Sequence, residues 1–456
     1  MSAEPAPPPL PFREALKVWV KIGLLSFGGP AAQIATMHRI LVEEKRWIGE
    51  SRFLHALNYC MLLPGPEAMQ LATYVGWLLH RTLGGVAAGL LFVLPGFLVM
   101  LGLSALYAGY QRVPLVEALF FGIKAAVLAV VVEALLRIGR RSLRNRARLA
   151  LAGLAFAGIF LFHAPFPLIV LAAAAIGLIG AVLKPEWFAE MPGHGGAKDK
   201  PVVDALIDDN KLTHIDPTAA RAVKVVAVWG LLWIAPLAIV AWTLGTSHVL
   251  MDEGLYFSKT AVVTFGGAYA VLAYVAQQAV ERYAWLAPGE MLDGLGLAET
   301  TPGPLILVLT FVGYLAGYRH GAPLPPVWGG VLGAALTTWV TFVPCFLWIF
   351  LGAPYVERLR GNRAAAGALS AITAAVVGVI LNLAVWFALQ VLFREHVAWS
   401  GLGMSLDVPV LTSGDVPAMV LASVAMVAML RFHVGMIPIL VGAAGAGAAW
   451  RLFTAG

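Results

Sequence analysis

The sequence predicts an all-α, polytopic membrane protein of two homologous halves in inverted topology, with about 13 transmembrane helices and helix breaks at paired Gly-Gly motifs. Three observations predict it. Of 456 residues, 60% are hydrophobic and 12% are charged, and the mean hydropathy is +0.82. Soluble domains carry roughly 25% charged residues, so no soluble core explains this shortage. Next, the chain repeats itself. Phe27-Gly28-Gly29 returns as Phe265-Gly266-Gly267, Trp47 as Trp285, and Pro64-Gly65-Pro66 as Pro302-Gly303-Pro304, all at an offset of 238 residues. Finally, these glycines and prolines fall in or beside apolar segments, where helix interruption is costly unless it has a use.

The N-terminal stretch, Met1 to Pro11, is proline-rich and has no basic region leading into an apolar core, so no cleaved signal peptide is expected. A membrane helix needs about 20 apolar residues. Candidate spans in the first half run over 14–37, 64–80, 84–108, 114–136, 149–163 and 164–183, and a seventh runs over 222–244. The second half offers 256–280, 302–318, 328–352, 364–392, 415–430 and 434–452. The resulting plan is a first membrane repeat (1–183), a cytoplasmic linker (184–220), a connecting span (221–254) and a second repeat (255–456). The linker mixes Lys198, Lys200 and Lys211 with Asp199, Asp204, Asp208, Asp209 and Asp216, and is broken by Pro192, Gly193, Gly195 and Gly196. It is too short for a catalytic domain.

Basic residues orient the chain. Arg13, Lys17 and Lys21, the run from Arg137 to Arg148, and Arg358, Arg360 and Arg363 all fall on one side if the N-terminus is cytoplasmic. The loop 245–258 then lies outside and holds Asp252 and Glu253. One loop disagrees: 38–52 carries Arg39, Lys45, Arg46 and Arg52 yet is assigned outside, and a re-entrant segment near 50–63 would change that. Seven spans separate the starts of the repeats. That odd number turns the second copy over, as in the inverted repeats of many secondary transporters.

Gly28-Gly29-Pro30 lies mid-span. Glycine costs about 1 kcal/mol in a helix interior and proline about 3, so a discontinuous helix is expected. Its second half would start near Pro30 with free N–H groups and a positive dipole end. Gly266-Gly267 repeats the break, with Ala268 in place of the proline. The alternative is that the glycines only allow tight helix packing. Pro64-Gly65-Pro66 and Pro302-Gly303-Pro304 read either as plain loop-to-helix junctions or as further donors for an oxyanion, with Glu67 and Gln70 following the first copy and Glu299, Thr300 and Thr301 preceding the second; Gln33 is a further substrate-binding candidate. Lys124 and Glu133 are charges inside a span and mark candidate function. Lys124 is read as an anion contact. Glu133 is a proton relay or a partner of Arg137 one turn on. His38 and Arg39 are either an oxyanion and proton-coupling pair or an interfacial basic pair. Glu67 is a further proton-coupling candidate.

No enzyme constellation is present in the sequence: no metal-spaced Cys or His cluster, no P-loop and no dinucleotide fingerprint. Cys60 and Cys345 suggest neither a disulfide framework nor a cluster. No cofactor is expected. The net charge of +6 reflects basic loops rather than nucleic-acid binding.

The run Phe27-Gly28-Gly29-Pro30-Ala31-Ala32-Gln33, then Met37-His38-Arg39, Trp47, Phe53-Leu54 and Asn58-Tyr59-Cys60-Met61-Leu62-Leu63-Pro64-Gly65-Pro66-Glu67, closely resembles the chromate ion transporter family in its long-chain, two-domain form. The resemblance implies a bacterial inner-membrane protein that exports chromate from the cytoplasm and confers resistance, driven by the proton gradient. It also implies that sulfate, an isosteric tetrahedral dianion, competes. Expected partners are the anion and membrane lipid. Oligomeric state stays open, with a homodimer among the options. Transport of another oxyanion, a passive channel and a membrane chromate reductase are the competing readings, the last of which lacks any redox centre in the sequence.

Overall fold

The computed structural model describes residues 10–27, 29–188, 218–265, 268–287, 289–355, 363–401 and 404–454. Gly28, Gly266, Gly267 and most of the expected linker lie outside them.

The first helix, α1 (Phe12–Leu25), buries Ala15, Val18, Trp19 and Ile22, a spacing that puts them on one face. It ends at Leu25, and α2 (Gly29–His38) begins after a three-residue gap and runs into a wider π-type turn, Arg39–Glu44. The chain then returns to where it began: Lys45 Nζ lies 3.5 Å from Glu14 Oε1 and Lys21 Nζ 3.6 Å from Glu44 Oε2. The segment 14–37 is therefore a hairpin with its tip at the diglycine, not one crossing. The sequence-based assignment of loop 38–52 to the side opposite residue 14 does not hold. Opposite charges on the two arms close the hairpin, and neither arm's periodicity could reveal that.

The next pair repeats the geometry. Helix α3 (Glu50–Leu62) leads to Pro64-Gly65-Pro66. The helical stretch Glu67–Tyr110 follows, but its backbone is non-helical at His80 (φ −139°, ψ 36°) and Arg81 (φ 53°, ψ −153°). A straight helix of 44 residues would reach about 66 Å, twice a bilayer core. The break divides it into α4 (67–79) and α5 (82–110). His80 Nε2 is 2.8 Å from the Leu10 carbonyl, so α4 also ends beside the start of α1. Three further helices complete the half: α6 (Pro114–Ser142), α7 (Arg146–Phe162) and α8 (Phe166–Leu183). Asn145 caps α7 by accepting the Arg148 N–H at 2.9 Å.

After α9 (Ala219–Thr243), capped by Thr218, the same order recurs. The second set is α10 (Val249–Val263), α11 (Ala268–Gln277) with its π-type turn Gln278–Arg282, α12 (Glu290–Glu299), α13 (Val308–His320), α14 (Pro326–Gly352), α15 (Arg363–Leu392), α16 (Val416–Phe432) and α17 (Met436–Thr454). Backbone oddities recur with it. Left-handed residues pair as Arg46 with Ala284, Gly65 with Gly303 and His163 with His433. One element has no counterpart: strands β1 (His396–Gly401) and β2 (Met404–Pro409) form an antiparallel hairpin between α15 and α16. The all-α expectation missed it because each strand is only six residues long.

The halves exchange contacts reciprocally, as in an isologous interface. Gly65 N–H donates to the Thr264 carbonyl, and Gly303 N–H to the Ser26 carbonyl, each at 2.7 Å. Helix α6 packs on α16 and α17, while its counterpart α15 packs on α7 and α8. The repeats therefore contact one another through matching elements. Among the described residues, seven helices are long and apolar enough to cross a membrane, with further shorter apolar helices at Leu305–His320 and Val416–Phe432. The protein is a multi-pass membrane protein.

Candidate functional site

The helices flanking both diglycine motifs end short of them or restart at or after them. Helix α1 stops at Leu25 and α10 at Val263, and their continuations restart at Gly29 and Ala268. Each interruption is stitched to the Pro-Gly-Pro turn of the other half through the two exchanged hydrogen bonds. The four breaks thus meet as two pairs, Ser26 with the turn 302–304 and Thr264 with the turn 64–66. Glycine is required at the turns. Gly65 has φ 119° and Gly303 φ 97°, a region closed to most side chains. A Cβ on Gly65 would stand 2.8 Å from Cys345 Sγ.

These contacts decide which donors remain. The N–H groups of Gly65 and Gly303, offered by the sequence as oxyanion donors, are occupied by Thr264 and Ser26. The Thr300 and Thr301 hydroxyls donate to the Leu297 carbonyl at 2.9 and 2.7 Å. Thr301 is buried and Thr300 exposed. Gln33, 1% exposed, donates its amide to the Gly303 carbonyl at 2.6 Å, and Gln70, 0% exposed, to the Pro64 carbonyl at 2.7 Å. Both amides clamp Pro-Gly-Pro turns, and both leave Oε1 without a partner among the described residues. Helix α2 starts at Gly29-Pro30, and the first N–H groups of a helix have no acceptor within it. A Cβ on Gly29 would meet nothing within 4 Å. Glu67, half-buried, opens α4 next to Pro66.

The remaining candidates lie apart. His38, at the far end of α2, is held between Glu50 and Glu43, with Nδ1 3.2 Å from Glu43 Oε1, and its ring meets Phe53 edge-on at 5.2 Å. Arg39 pairs with Glu44 at 3.6 Å. Both side chains are thus taken up by acidic neighbours. Glu133 pairs with Arg137 at 3.5 Å, the one-turn contact expected of an ion pair.

Lys124 has a partner that sequence reasoning missed. Its Nζ lies 3.1 Å from Asp293 Oδ2 in α12, and Tyr107 of α5 donates to the same oxygen at 2.7 Å. Asp293 is 1% exposed. Beside it, Arg319 grips Glu290 with two bonds of 2.7 and 2.6 Å. Glu290 also accepts the Ala287 N–H at 2.6 Å, closing the start of α12. The signal was present as three carboxylates, Glu290, Asp293 and Glu299, in the apolar run 290–299, but that run is shorter than a span and escaped the rule for intramembrane charge. Tyr269 bonds Glu299 just ahead of the second Pro-Gly-Pro.

A cavity of about 50 Å³ opens elsewhere, between α7, α11, α15 and β2, lined by His163, Gln277, Glu281, Asn382 and Asp407 among others. None of the sequence-predicted site residues lines it.

The comparisons with known proteins agree with this doubled architecture. A family model described as "Chromate transporter" matches residues 13–178 and again 252–448. A "Chromate transport protein" of Pseudomonas aeruginosa is 35% identical over 384 residues, covering 83% of this chain and 82% of its own. One from Cupriavidus metallidurans is 26% identical over 437 residues, covering 96% and 92%. A "Probable chromate transport protein" of Synechococcus elongatus is 26% identical over 378 residues, covering 83% and 85%. No solved structure matches. The two family matches fall on the two halves that the exchanged hydrogen bonds join, and the chain belongs to the chromate transporter family, whose members are transporters and not enzymes.

Proposed function

We propose that this protein exports chromate from the cytoplasm across a bacterial inner membrane, driven by the proton gradient. The anion passes the paired helix breaks, where the open start of α2 supplies backbone N–H groups and the positive end of a helix dipole. The observation that carries this reading is the crossed pairing of Gly65 with Thr264 and of Gly303 with Ser26. It gathers four interruptions at the junction of two related halves, where transporters of this design bind their substrates.

In this reading a pseudo-two-fold axis in the membrane plane relates the repeats. Hairpins α1–α2 and α3–α4 enter from the cytoplasm and return, hairpins α10–α11 and α12–α13 do so from outside, and α5 to α9 and α14 to α17 cross fully. Five crossings separate the repeats, which preserves the inversion. The contacts of Lys45 with Glu14 and of His80 with Leu10 support this. They bring Arg39, Lys45, Arg46 and Arg52 to the N-terminal side, so the loop that broke the positive-inside rule now obeys it. A helix of 14 residues reaches about 21 Å, enough to bring a hairpin tip near mid-membrane.

Everted membrane vesicles test the reading. With an acid lumen they should accumulate chromate, a protonophore should stop accumulation, and excess sulfate should slow it. Uptake that is equal with and without the gradient would remove the coupling. Accumulation of sulfate or molybdate in preference to chromate would move the assignment to another oxyanion.

A further inference from the structure

Glu253 occupies the second turn of α10, the half-helix that ends at the second diglycine break, and is 0% exposed. Thr337 Oγ1 of α14 donates to its Oε2 at 3.4 Å, and Oε1 has no partner among the described residues. The carboxyl is fitted against the closest approach of α13 and α14. A Cβ on Gly333 would lie 2.9 Å from Oε2 and 2.2 Å from the Gly313 carbonyl.

Among the described residues no cation compensates it. Helix α14 carries no Asp, Glu, Lys, Arg or His. Helix α13 brings Tyr314, Tyr318, Arg319 and His320, of which Arg319 is bound to Glu290. Helix α9 brings Arg221 and Lys224 in its first two turns, whereas the α9 residue at Gly254 is Leu237, more than a dozen residues later. On α10 itself, His248 faces the Gly321 carbonyl and the Leu250 N–H, Asp252 and Lys259 are exposed, and Tyr256 lies in a stack with Tyr283 and Trp285. Among the described residues no ion pair reaches Glu253. An ionised carboxylate enclosed in this way is strongly disfavoured, so this packing requires the neutral acid. In the first repeat the corresponding residue is Ala15, equally buried, so the helix contact itself does not need an acid.

We propose that Glu253 is a proton-binding site of the transport cycle, whose neutral form holds α10 against the α13–α14 hairpin and whose ionisation requires that contact to open to water. The proton is bound at a carboxyl oxygen and leaves to water on the side to which the contact opens; no other bond changes. The inference rests on the proton coupling proposed above and names the residue that carries it.

E253Q keeps the neutral shape and removes the titration. In reconstituted vesicles it should retain chromate-for-chromate exchange within about twofold of wild type while losing about tenfold or more of pH-gradient-driven uptake. Gradient-driven uptake at the wild-type rate would overturn the proposal, as would loss of both activities in a protein that inserts and purifies normally. Infrared difference spectra supply a readout independent of transport. The carbonyl band of a protonated carboxylic acid should be present in wild type, missing in E253Q and shifted in T337V, which removes only the hydroxyl. If E253Q fails to insert, the T337V shift decides, and an unshifted band overturns the assignment. Wild-type chromate transport indifferent to the gradient, with these band changes present, would instead sink the proton-driven export reading and the cycle role of Glu253 together, while leaving its protonation established.

Discussion

In the first repeat the broken helix restarts at Gly29-Pro30 and carries Gln33. In the second it restarts at Ala268, and Val271 stands at the place of Gln33. Val308 likewise stands at the place of Gln70, Thr373 at Lys124, His55 at Asp293 and Ala15 at Glu253. The backbones nevertheless coincide in their least tolerant features, the left-handed residues at 46 and 284, 65 and 303, and 163 and 433. Duplication has kept what the exchanged hydrogen bonds demand and released what they do not. Backbone N–H and carbonyl groups make the crossing, so side chains around it are free to diverge. Both amide clamps stayed in one half, and the buried acids at 253 and 293 arose in the other.

Substitutions can break or sharpen this comparison. The largest effect is expected at the shared backbone. Gly65→Leu or Gly303→Leu forces a side chain onto a left-handed residue at a tight contact, costing about 4 kcal/mol or more, so the protein should vanish from membranes on an immunoblot. Normal abundance of either variant would mean that the crossing is not what holds the halves together. Gly29→Leu is the contrast: Gly29 is also left-handed (φ 77°), which costs a side chain about 1–2 kcal/mol, but its Cβ meets nothing within 4 Å, so abundance should fall far less than at Gly65 while chromate transport is lost. Wild-type transport in that variant would remove the start of α2 from the pathway.

Next comes Lys124→Ala. Removing it leaves Asp293 buried and unpaired, which typically costs about 3–5 kcal/mol, so the loss should show as a lower midpoint of thermal unfolding in detergent. Lys124→Ala with Asp293→Asn should recover most of it. An equally unstable double variant would show that Lys124 acts in some other way, such as holding the anion directly.

Gln33→Val copies the second repeat into the first. It removes a buried bond to the Gly303 carbonyl worth about 1–3 kcal/mol and should lower the transport rate more than the membrane abundance. No change in either would make the asymmetry of the clamps incidental. The smallest effect is expected at the surface. Lys21→Ala breaks a pair whose side chains are about half exposed, 55% and 45%, and exposed pairs contribute about 0–1 kcal/mol. A large loss there would mean that the hairpin α1–α2 is closed by these charges and not by its buried face.

Much of the plan was legible in the chain. Apolar runs give spans because a backbone in lipid must satisfy itself within a helix. Gly28-Gly29-Pro30 and Pro64-Gly65-Pro66 announce breaks because glycine and proline are the residues that oppose helices. Illegible parts depend on what lies across from each residue. The segment 14–37 is apolar whether it crosses or returns, and only the pairing of Lys45 with Glu14 tells the two apart. Thr300 and Thr301 look like donors until the Leu297 carbonyl takes both. Asp293 sits in a run too short to read as a span, and Glu253 falls in a stretch read as an outside loop.

By itself, then, the amino-acid order determined a duplicated, membrane-embedded helical chain with interruptions at matched places, because composition, periodicity and helix-breaking residues act locally. Only the tertiary structure decided that each interruption is bound to the turn of the opposite half, that the first arms fold back, and which buried acids have a cation beside them. Those outcomes are set by contacts between residues distant in the chain, such as Gly65 with Thr264, Lys45 with Glu14 and Lys124 with Asp293, and no local preference encodes such a partner.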